Sequence, residues 1–268
     1  MATQHKGSLM RNSTLSATRL LLLLCAVVAL GGCADFKKTD PWEKPNRFVY
    51  NVNDGIDTYA LKPVSDLYVK VTPKPIRTGL YNGYSNLEYF NVIFNDFLQA
   101  KWNQGASDSG RMAVNSTVGV AGIFDVATGW GMPSHNNDFG LTLGTWGFQQ
   151  GPYLVLPLFG PSTVRDAPGI GVGMVTNPLF WVDTTLATSI AVSAVEAVVM
   201  RSNADQEIRF RNSAAIDPYV FTRDAYLQYR ENQLHGGKVP PKENIYDEDA
   251  EPATAPSTQP ATTPPPSK

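Results

Sequence analysis

Gly151-Pro152-Tyr153-Leu154-Val155-Leu156-Pro157-Leu158-Phe159-Gly160-Pro161-Ser162-Thr163-Val164-Arg165-Asp166 sets glycine and proline around short apolar runs and holds its charge back to the last two residues. Gly151, Pro152, Pro157, Gly160 and Pro161 set backbone turns, and the adjacent Arg165 and Asp166 can pair with one another. Arg165 is also the only Lys or Arg among the 89 residues between Arg111 and Arg201, where the acids are Asp125, Asp138, Asp166, Asp183 and Glu196. An ordinary soluble surface carries far more charge than this. The same span holds twelve glycines and six prolines, with Trp130, Trp146 and Trp181 spaced along it. Glycine and proline interrupt it too often for a bilayer-spanning helix. Low charge, short helices and interfacial aromatics fit a body sunk in one leaflet. On composition alone, a soluble domain with a large core fits as well.

Outward from this centre the body, residues 40 to 240, reads as one mainly α domain of short, frequently interrupted helices. Phe48, Val52, Ile56 and Tyr59 fall on one helical face, and Pro63 is expected to break the run. Ser85-Asn86-Leu87-Glu88 fits a capping box, followed by the apolar stripe Leu87, Phe90, Phe94 and Phe97. Such stripes usually face a core. From Asp183, a plausible N-cap, a helix to Met200 sets Leu186, Ile190, Ala194, Ala197 and Val198 on one face and Thr185, Ser189, Ser193 and Glu196 on the other. The simpler reading is a core helix showing a polar stripe to water; the other is the lining of a path for lipid.

The ends have a different character. Residues 1–32 read as an export signal: Lys6, Arg11 and Arg19 precede an unbroken apolar run from Leu20 to Leu30, well short of the ~20 residues a spanning helix needs. Leu30-Gly31-Gly32-Cys33 resembles the lipobox of bacterial lipoproteins; ordinary signal cleavage beside an incidental cysteine is the alternative. On the lipobox reading Cys33 carries diacylglycerol and an N-acyl chain, and several acyl chains anchor stably at ~0.8 kcal/mol per buried methylene. Cys25 leaves with the signal, so no thiol remains for a disulfide. Ala34 is not the aspartate that commonly retains lipoproteins at the inner membrane, which points to the outer membrane. Residues 33–39 form a lipidated linker. Residues 241–268, acidic at Asp247, Glu248, Asp249 and Glu251 and then rich in proline, read as a disordered tail, a solvated end more simply than a partner-binding one.

Charge and motifs exclude several function classes. The formal net charge is −2, and no basic face suited to nucleic acid is present. His135 and His235 have no HExxH or CxxC neighbour, so no metal site is expected. Gly105-Ala106-Ser107-Asp108-Ser109-Gly110 only approximates a nucleophile elbow, and Ser107 more plausibly caps a helix or sits in a turn. Gly169-Ile170-Gly171-Val172-Gly173 hints at a dinucleotide loop but lacks a preceding β-type strand and the third glycine at the right offset. There is no Walker A sequence. Catalysis and cofactors, apart from covalent lipid on Cys33, are not expected.

Several words recur in a familiar order. Asp40-Pro41-Trp42-Glu43-Lys44-Pro45-Asn46-Arg47 leads into Tyr50-Asn51-Val52-Asn53 and Lys62-Pro63-Val64. Asn115-Ser116-Thr117-Val118-Gly119, Gly122-Ile123-Phe124-Asp125-Val126-Ala127, Asp138-Phe139-Gly140 and Leu143-Gly144 follow. Then come the 151–166 stretch, Asp217-Pro218-Tyr219 and Arg223-Asp224-Ala225-Tyr226. In order and spacing, over nearly all of residues 40 to 240, this series resembles the MlaA/VacJ lipoproteins.

The resemblance implies a helical, ring-like body in the inner leaflet of the outer membrane, with an amphipathic channel that passes misplaced phospholipids from the outer leaflet towards the periplasm. It implies a trimeric outer-membrane porin and a soluble periplasmic lipid carrier as partners. Within the dense motif, Gly151, Pro152, Tyr153, Pro157, Gly160, Pro161, Ser162, Arg165 and Asp166 are expected to be structural, and the candidate lipid path is Thr185, Ser189, Ser193 and Glu196. An envelope lipid hydrolase or acyltransferase, and a structural porin-associated lipoprotein, are the competing classes. The lipobox carries the first prediction: Cys33→Ser protein takes up no radiolabelled palmitate, mislocalises and fails to restore the outer-membrane barrier. Palmitate label on that variant would remove the anchor from Cys33.

Overall fold

Asp40-Pro41-Trp42 leads directly into the first helix of a computed structural model that describes residues 40–182 and 185–236. The signal, the linker, the tail and Asp183 lie outside the described residues. Helix α1 (Glu43–Ile56) does not end at Pro63. It runs through a π-helical segment, Asp57–Leu61, into α2 (Lys62–Val71). Pro63 removes one backbone donor, and the chain absorbs the loss by changing register, with Lys62 N–H reaching Asp57 O, five residues back. The expected break is instead a π-bulge with the proline in the first turn of α2.

Helix α3 (Lys74–Leu98) is a single 25-residue rod, about 37 Å long at 1.5 Å per residue. Ser85 therefore lies mid-helix, and the capping-box expectation is corrected: the start is set by Pro73 and Pro75. Its end is a Schellman turn in which Ala100, at φ 56, stands where glycine is usual, with Lys101 N–H on Asp96 O and Ala100 N–H on Phe97 O. Helix α4 (Trp102–Thr117) packs back along α3. Ser107 sits inside α4, neither a cap nor a turn, because Gly105 lets the helix close onto the Phe97 ring.

A one-turn α5 (Val126–Gly129) and α6 (Phe139–Thr145) start on the side chains of Asp125 and Asp138, which accept from Thr128 N and Leu141 N. Strands β1 (Tyr153–Leu156) and β2 (Gly160–Thr163) form an antiparallel hairpin, with Tyr153 opposite Thr163 and Leu156 opposite Gly160. Pro157, Leu158 and Phe159 make the turn, with Leu158 at φ 67. Helix α7 (Ala167–Thr176), a 3-10 turn (Pro178–Trp181), α8 (Leu186–Asn203), α9 (Asp205–Ala214) and α10 (Pro218–Leu234) complete the chain. The N-cap of α8 is Thr185, whose hydroxyl accepts from Thr188 N, rather than Asp183. The glycine-rich run 169–173 does follow a strand, contrary to expectation, but that strand belongs to the hairpin, and the glycines lie within α7, where Gly169 lies against Gly140 of α6.

The hairpin is where distant parts of the sequence meet. Asn46 and Asn53, two turns apart on α1, use their amides as a surrogate strand along β1. Asn46 donates to Tyr153 O and accepts from Val155 N, at 2.9 and 3.0 Å. Asn53 donates to Leu156 O and accepts from Leu158 N, both at 2.9 Å. The open edge of the sheet is thereby satisfied. Tyr153, Val155 and Tyr219 form the buried apolar cluster beneath, and the Tyr219 hydroxyl bonds Asp40. On the other side Arg165 and Asp166 pair as expected, at 2.7 Å, both buried.

Asp166 also takes Arg230 of α10 at 3.0 Å and the Tyr226 hydroxyl at 3.0 Å, while Arg230 reaches Asp138 at 2.5 and 2.9 Å. Burial alone would raise the Asp166 carboxyl, but the two guanidinium groups outweigh it and hold it below the usual range. Breaking one side of such a buried pair costs about 3–5 kcal/mol.

Gly140 allows this cluster to close, since a Cβ there would stand 2.5 Å from Asp166 Oδ1 and 2.9 Å from its Cα. Gly140→Ala is therefore expected to cost about 1–3 kcal/mol through overpacking. Gly171→Ala, where a Cβ meets nothing within 4 Å, is expected to leave the fold as stable as the parent. Thermal unfolding in detergent checks the pair, and equal melting temperatures would remove the close-packing role of Gly140.

Candidate functional site

The polarity of α3 is inverted relative to a soluble helix. Asn86, Tyr89, Val92, Asn95 and Asp96 are buried, whereas the Phe90, Phe94 and Phe97 stripe expected to face a core is 42, 45 and 39% exposed. Helix α1 repeats the pattern: Asn46 is inside, while Phe48 and Tyr59 of the expected core face are 70 and 86% exposed. Buried side chains are in large part Asn, Asp, Arg, Gln, Ser and Thr. Such an arrangement suits a surrounding that is itself apolar, as the leaflet-embedded reading expects.

The tryptophans agree. Trp130, Trp146 and Trp181 are exposed, and the indole N–H groups of Trp146 and Trp181 are met internally by Leu98 O and Val175 O, so neither ring needs water. No described helix is long and apolar enough to cross a membrane.

Polar interiors have to be bonded throughout, and this one is nearly so. Asn137 donates to Asp96 (2.8 Å) and accepts from Gln99 (2.7 Å). Gln99 also reaches Thr142 (2.9 Å), which donates to Asn95 (2.8 Å). Burial pushes the Asp96 carboxyl well above the usual range, and the neighbouring Asp108 adds to the rise. Asp108 in turn is bonded by His135 Nδ1 at 3.0 Å. Arg111 grips Asp125 at 2.8 Å, donates to Met132 O at 2.7 Å and to Thr128 at 2.8 Å. Burial would raise Asp125, but hydrogen bonds from Thr128 and Asn115 and the charge of Arg111 win and lower it.

Two polar cavities adjoin this network and share Glu88, Val92 and Asn136 in their walls. The larger, about 430 Å³, lies between Glu88 and Asn91 of α3, Asn136 and Asn137, Met174 of α7 and Glu196 of α8. The smaller, about 250 Å³, continues past Ser85, Asn86, Arg111 and His135. Gly122, at φ 86, presses on the second wall, since a Cβ there would lie 2.5 Å from that of Asn86. A third, mostly apolar hollow of about 510 Å³ shares Asn82 and Asp125 with it and opens beside Lys74 and Phe124. Burial raises both Glu88 and Glu196, and at Glu88 the charge of Glu196 adds to the rise.

Of the polar stripe on α8, Glu196 lines the larger cavity. Thr185 caps the helix, bonded to Thr188, and Ser189 and Ser193 are exposed further along the same face. The rest of the dense motif falls in the hairpin and the charged cluster. From sequence Glu88 was read only as the acid of a capping box, and Asn91, Asn136 and Asn137 were not singled out. Their signal was there in part: Asn91 and Asn95 alternate along α3 with Phe90, Phe94 and Phe97, a polar face that is as regular as the apolar one.

Ser134 Oγ pairs with the Tyr89 hydroxyl at 2.7 Å rather than with the adjacent His135, and no group of three His, Cys, Asp or Glu able to hold a metal occurs among the described residues. The arrangement offers polar, water-accessible cavities inside a body whose exterior is apolar.

Comparison with known proteins agrees with this geometry. The family model described as MlaA lipoprotein matches residues 38–233. Proteins named "Intermembrane phospholipid transport system lipoprotein MlaA" are 34% identical over 237 residues in Shigella flexneri and in Escherichia coli K12, covering 84% of this chain and 92% of each relative. The Haemophilus influenzae protein of the same name is 29% identical over 240 residues, covering 85 and 96%. A chain solved in work on the "Structural basis for maintenance of bacterial outer membrane lipid asymmetry" superposes with a TM-score of 0.63 at 29% identity, covering 74% of this chain and all of that one. With its hairpin, its inverted polarity and its motifs in register, this chain belongs to the MlaA lipoprotein family.

Proposed function

We propose that this protein is an outer-membrane lipoprotein, anchored by lipid on Cys33 on the periplasmic side, that maintains lipid asymmetry by passing misplaced phospholipids out of the outer leaflet. The observation that carries this reading is the pair of polar cavities inside a body with an apolar exterior. A phospholipid moving between leaflets needs a wet, polar route for its headgroup and apolar support for its tails. The cavities bounded by Glu88, Asn91 and Asn136 supply the first, and the exposed aromatic and aliphatic side chains supply the second.

With no nucleotide motif in its sequence, the chain lowers a barrier and performs no work, so direction comes from its partners. A trimeric porin and a soluble periplasmic carrier, as the family resemblance implies, fill those roles. The alternative of a lipid hydrolase finds no support in the bonding of Ser134 and His135. Transport also accounts for the amides that recur in the cavity walls, Asn91, Asn136 and Asn137 among them, which can hydrate a headgroup.

The stripe Thr185, Ser189 and Ser193 continues the line of Glu196 along α8 away from the cavity, and we place it on the lipid path. Ser189→Leu with Ser193→Leu is expected to leave the protein folded, lipidated and bound to porin while outer-leaflet phospholipid accumulates at the cell surface, measured by surface labelling of lipid amines. Full clearance by this variant would take the stripe off the path. Deleting the gene is expected to raise surface phospholipid and detergent sensitivity, and restoration by the parent chain completes the test. An unchanged cell surface after deletion would sink the transport reading itself.

A further inference from the structure

Two carboxylates face the larger cavity without a counter-charge. Glu88 and Glu196 come from different helices, and neither has a hydrogen-bond or ion-pair partner among the described residues. The third acid there, Asp138, is neutralised by Arg230 at 2.5 Å. No Lys, Arg or His lines this cavity. In the adjoining smaller cavity the basic side chains are already engaged: Arg111 with Asp125, and His135 with Asp108.

A second, separate observation concerns Asn86. It is 7% exposed and sits in the wall of the smaller cavity, where its Nδ2 donates to Ser116 but its Oδ1 has no partner. A buried acceptor left unbonded is costly, so it marks a position where a donor belongs. The acceptors left without a protein partner are thus the carboxylates of Glu88 and Glu196, in the larger cavity, and the Oδ1 of Asn86, in the wall of the smaller one.

An ammonium group supplies the N–H donors and the positive charge that these acceptors lack. An ethanolamine-type headgroup carries both and has no net charge, whereas a glycerol-type headgroup brings a net negative charge into a space with two uncompensated carboxylates. Resting on the transport reading above, we propose that Glu88 and Glu196 select phospholipid by headgroup charge, favouring those that bear a primary ammonium over anionic ones.

The test uses the full lipidated chain, purified from membranes and equilibrated with mixed micelles of equal phosphatidylethanolamine and phosphatidylglycerol in a non-ionic detergent. Retained lipid is quantified by mass spectrometry. The parent chain is expected to enrich phosphatidylethanolamine about fivefold, the discrimination of an interaction worth about 1 kcal/mol. Glu88→Gln with Glu196→Gln, which keeps side-chain size, is expected to return the ratio to that of the micelles with an unchanged melting temperature. Glu196→Asp is expected to retain the preference.

Lipid retained by the parent chain at the micelle ratio overturns the headgroup inference and leaves the transport reading standing. Enrichment that survives in the double variant overturns the inference in the same way. Enrichment lost in EDTA and restored by magnesium shows that the carboxylates hold a metal ion, and also overturns it. Retention of neither phospholipid overturns the transport reading and the inference with it.

Discussion

Asp166 holds the far ends of the domain to one another. Its carboxylate receives Arg165 from its own segment, Arg230 and Tyr226 from α10, and through Arg230 it is tied to Asp138, the cap of α6. Each of these groups is too costly to bury alone, so none of the elements closes without the others. The hairpin, α6, α7 and α10 therefore assemble as a unit. The Asn46 and Asn53 amides then lock α1 to the hairpin from the opposite side.

Polar closure of this kind follows from where the apolar residues had to go. A body that offers much of its phenylalanine, tryptophan and leucine to its surroundings has few of them left for a core, and among the described residues the buried apolar side chains are few, with Tyr153, Val155 and Tyr219 clustered together. Cohesion passes to hydrogen bonds and ion pairs, which are strong in a low-dielectric setting provided every partner is present. The chain of Asn95, Thr142, Gln99, Asn137 and Asp96 is built that way up to Asp96, whose Oδ2 is left without a hydrogen-bond partner. Cavities beside such a network are polar by construction. Their walls continue the interior rather than interrupt it.

Glycine has its place in the same economy of space. Gly140 and Gly122 stand where a single added carbon would meet Asp166 or Asn86 at 2.5 Å, so both the charged cluster and the cavity wall depend on a missing side chain. The π-segment at 57–61 plays a related part, letting α1 run on into α2 across Pro63. Fold and cavity are therefore set by the same few close approaches.

The sequence by itself determined the mainly α class, the family, the scarcity of charge across the centre and the Arg165–Asp166 pair, because periodicity, composition and motif order are local or cumulative properties of the chain. It left open whether the apolar stripes at Phe48 to Tyr59 and Phe90 to Phe97 faced inward or outward, since a helix with two faces has the same periodicity in either orientation. Tertiary structure decided that, through buried partners more than a hundred residues away, such as Tyr153 for Asn46. It also joined α3 through Ser85, where a capping box is locally plausible but the helix continues because its packing against α4 outweighs the cap. The cavity with Glu88 and Glu196 was the least legible feature, because it exists only where α3 and α8 come together, and no spacing along the chain records that meeting.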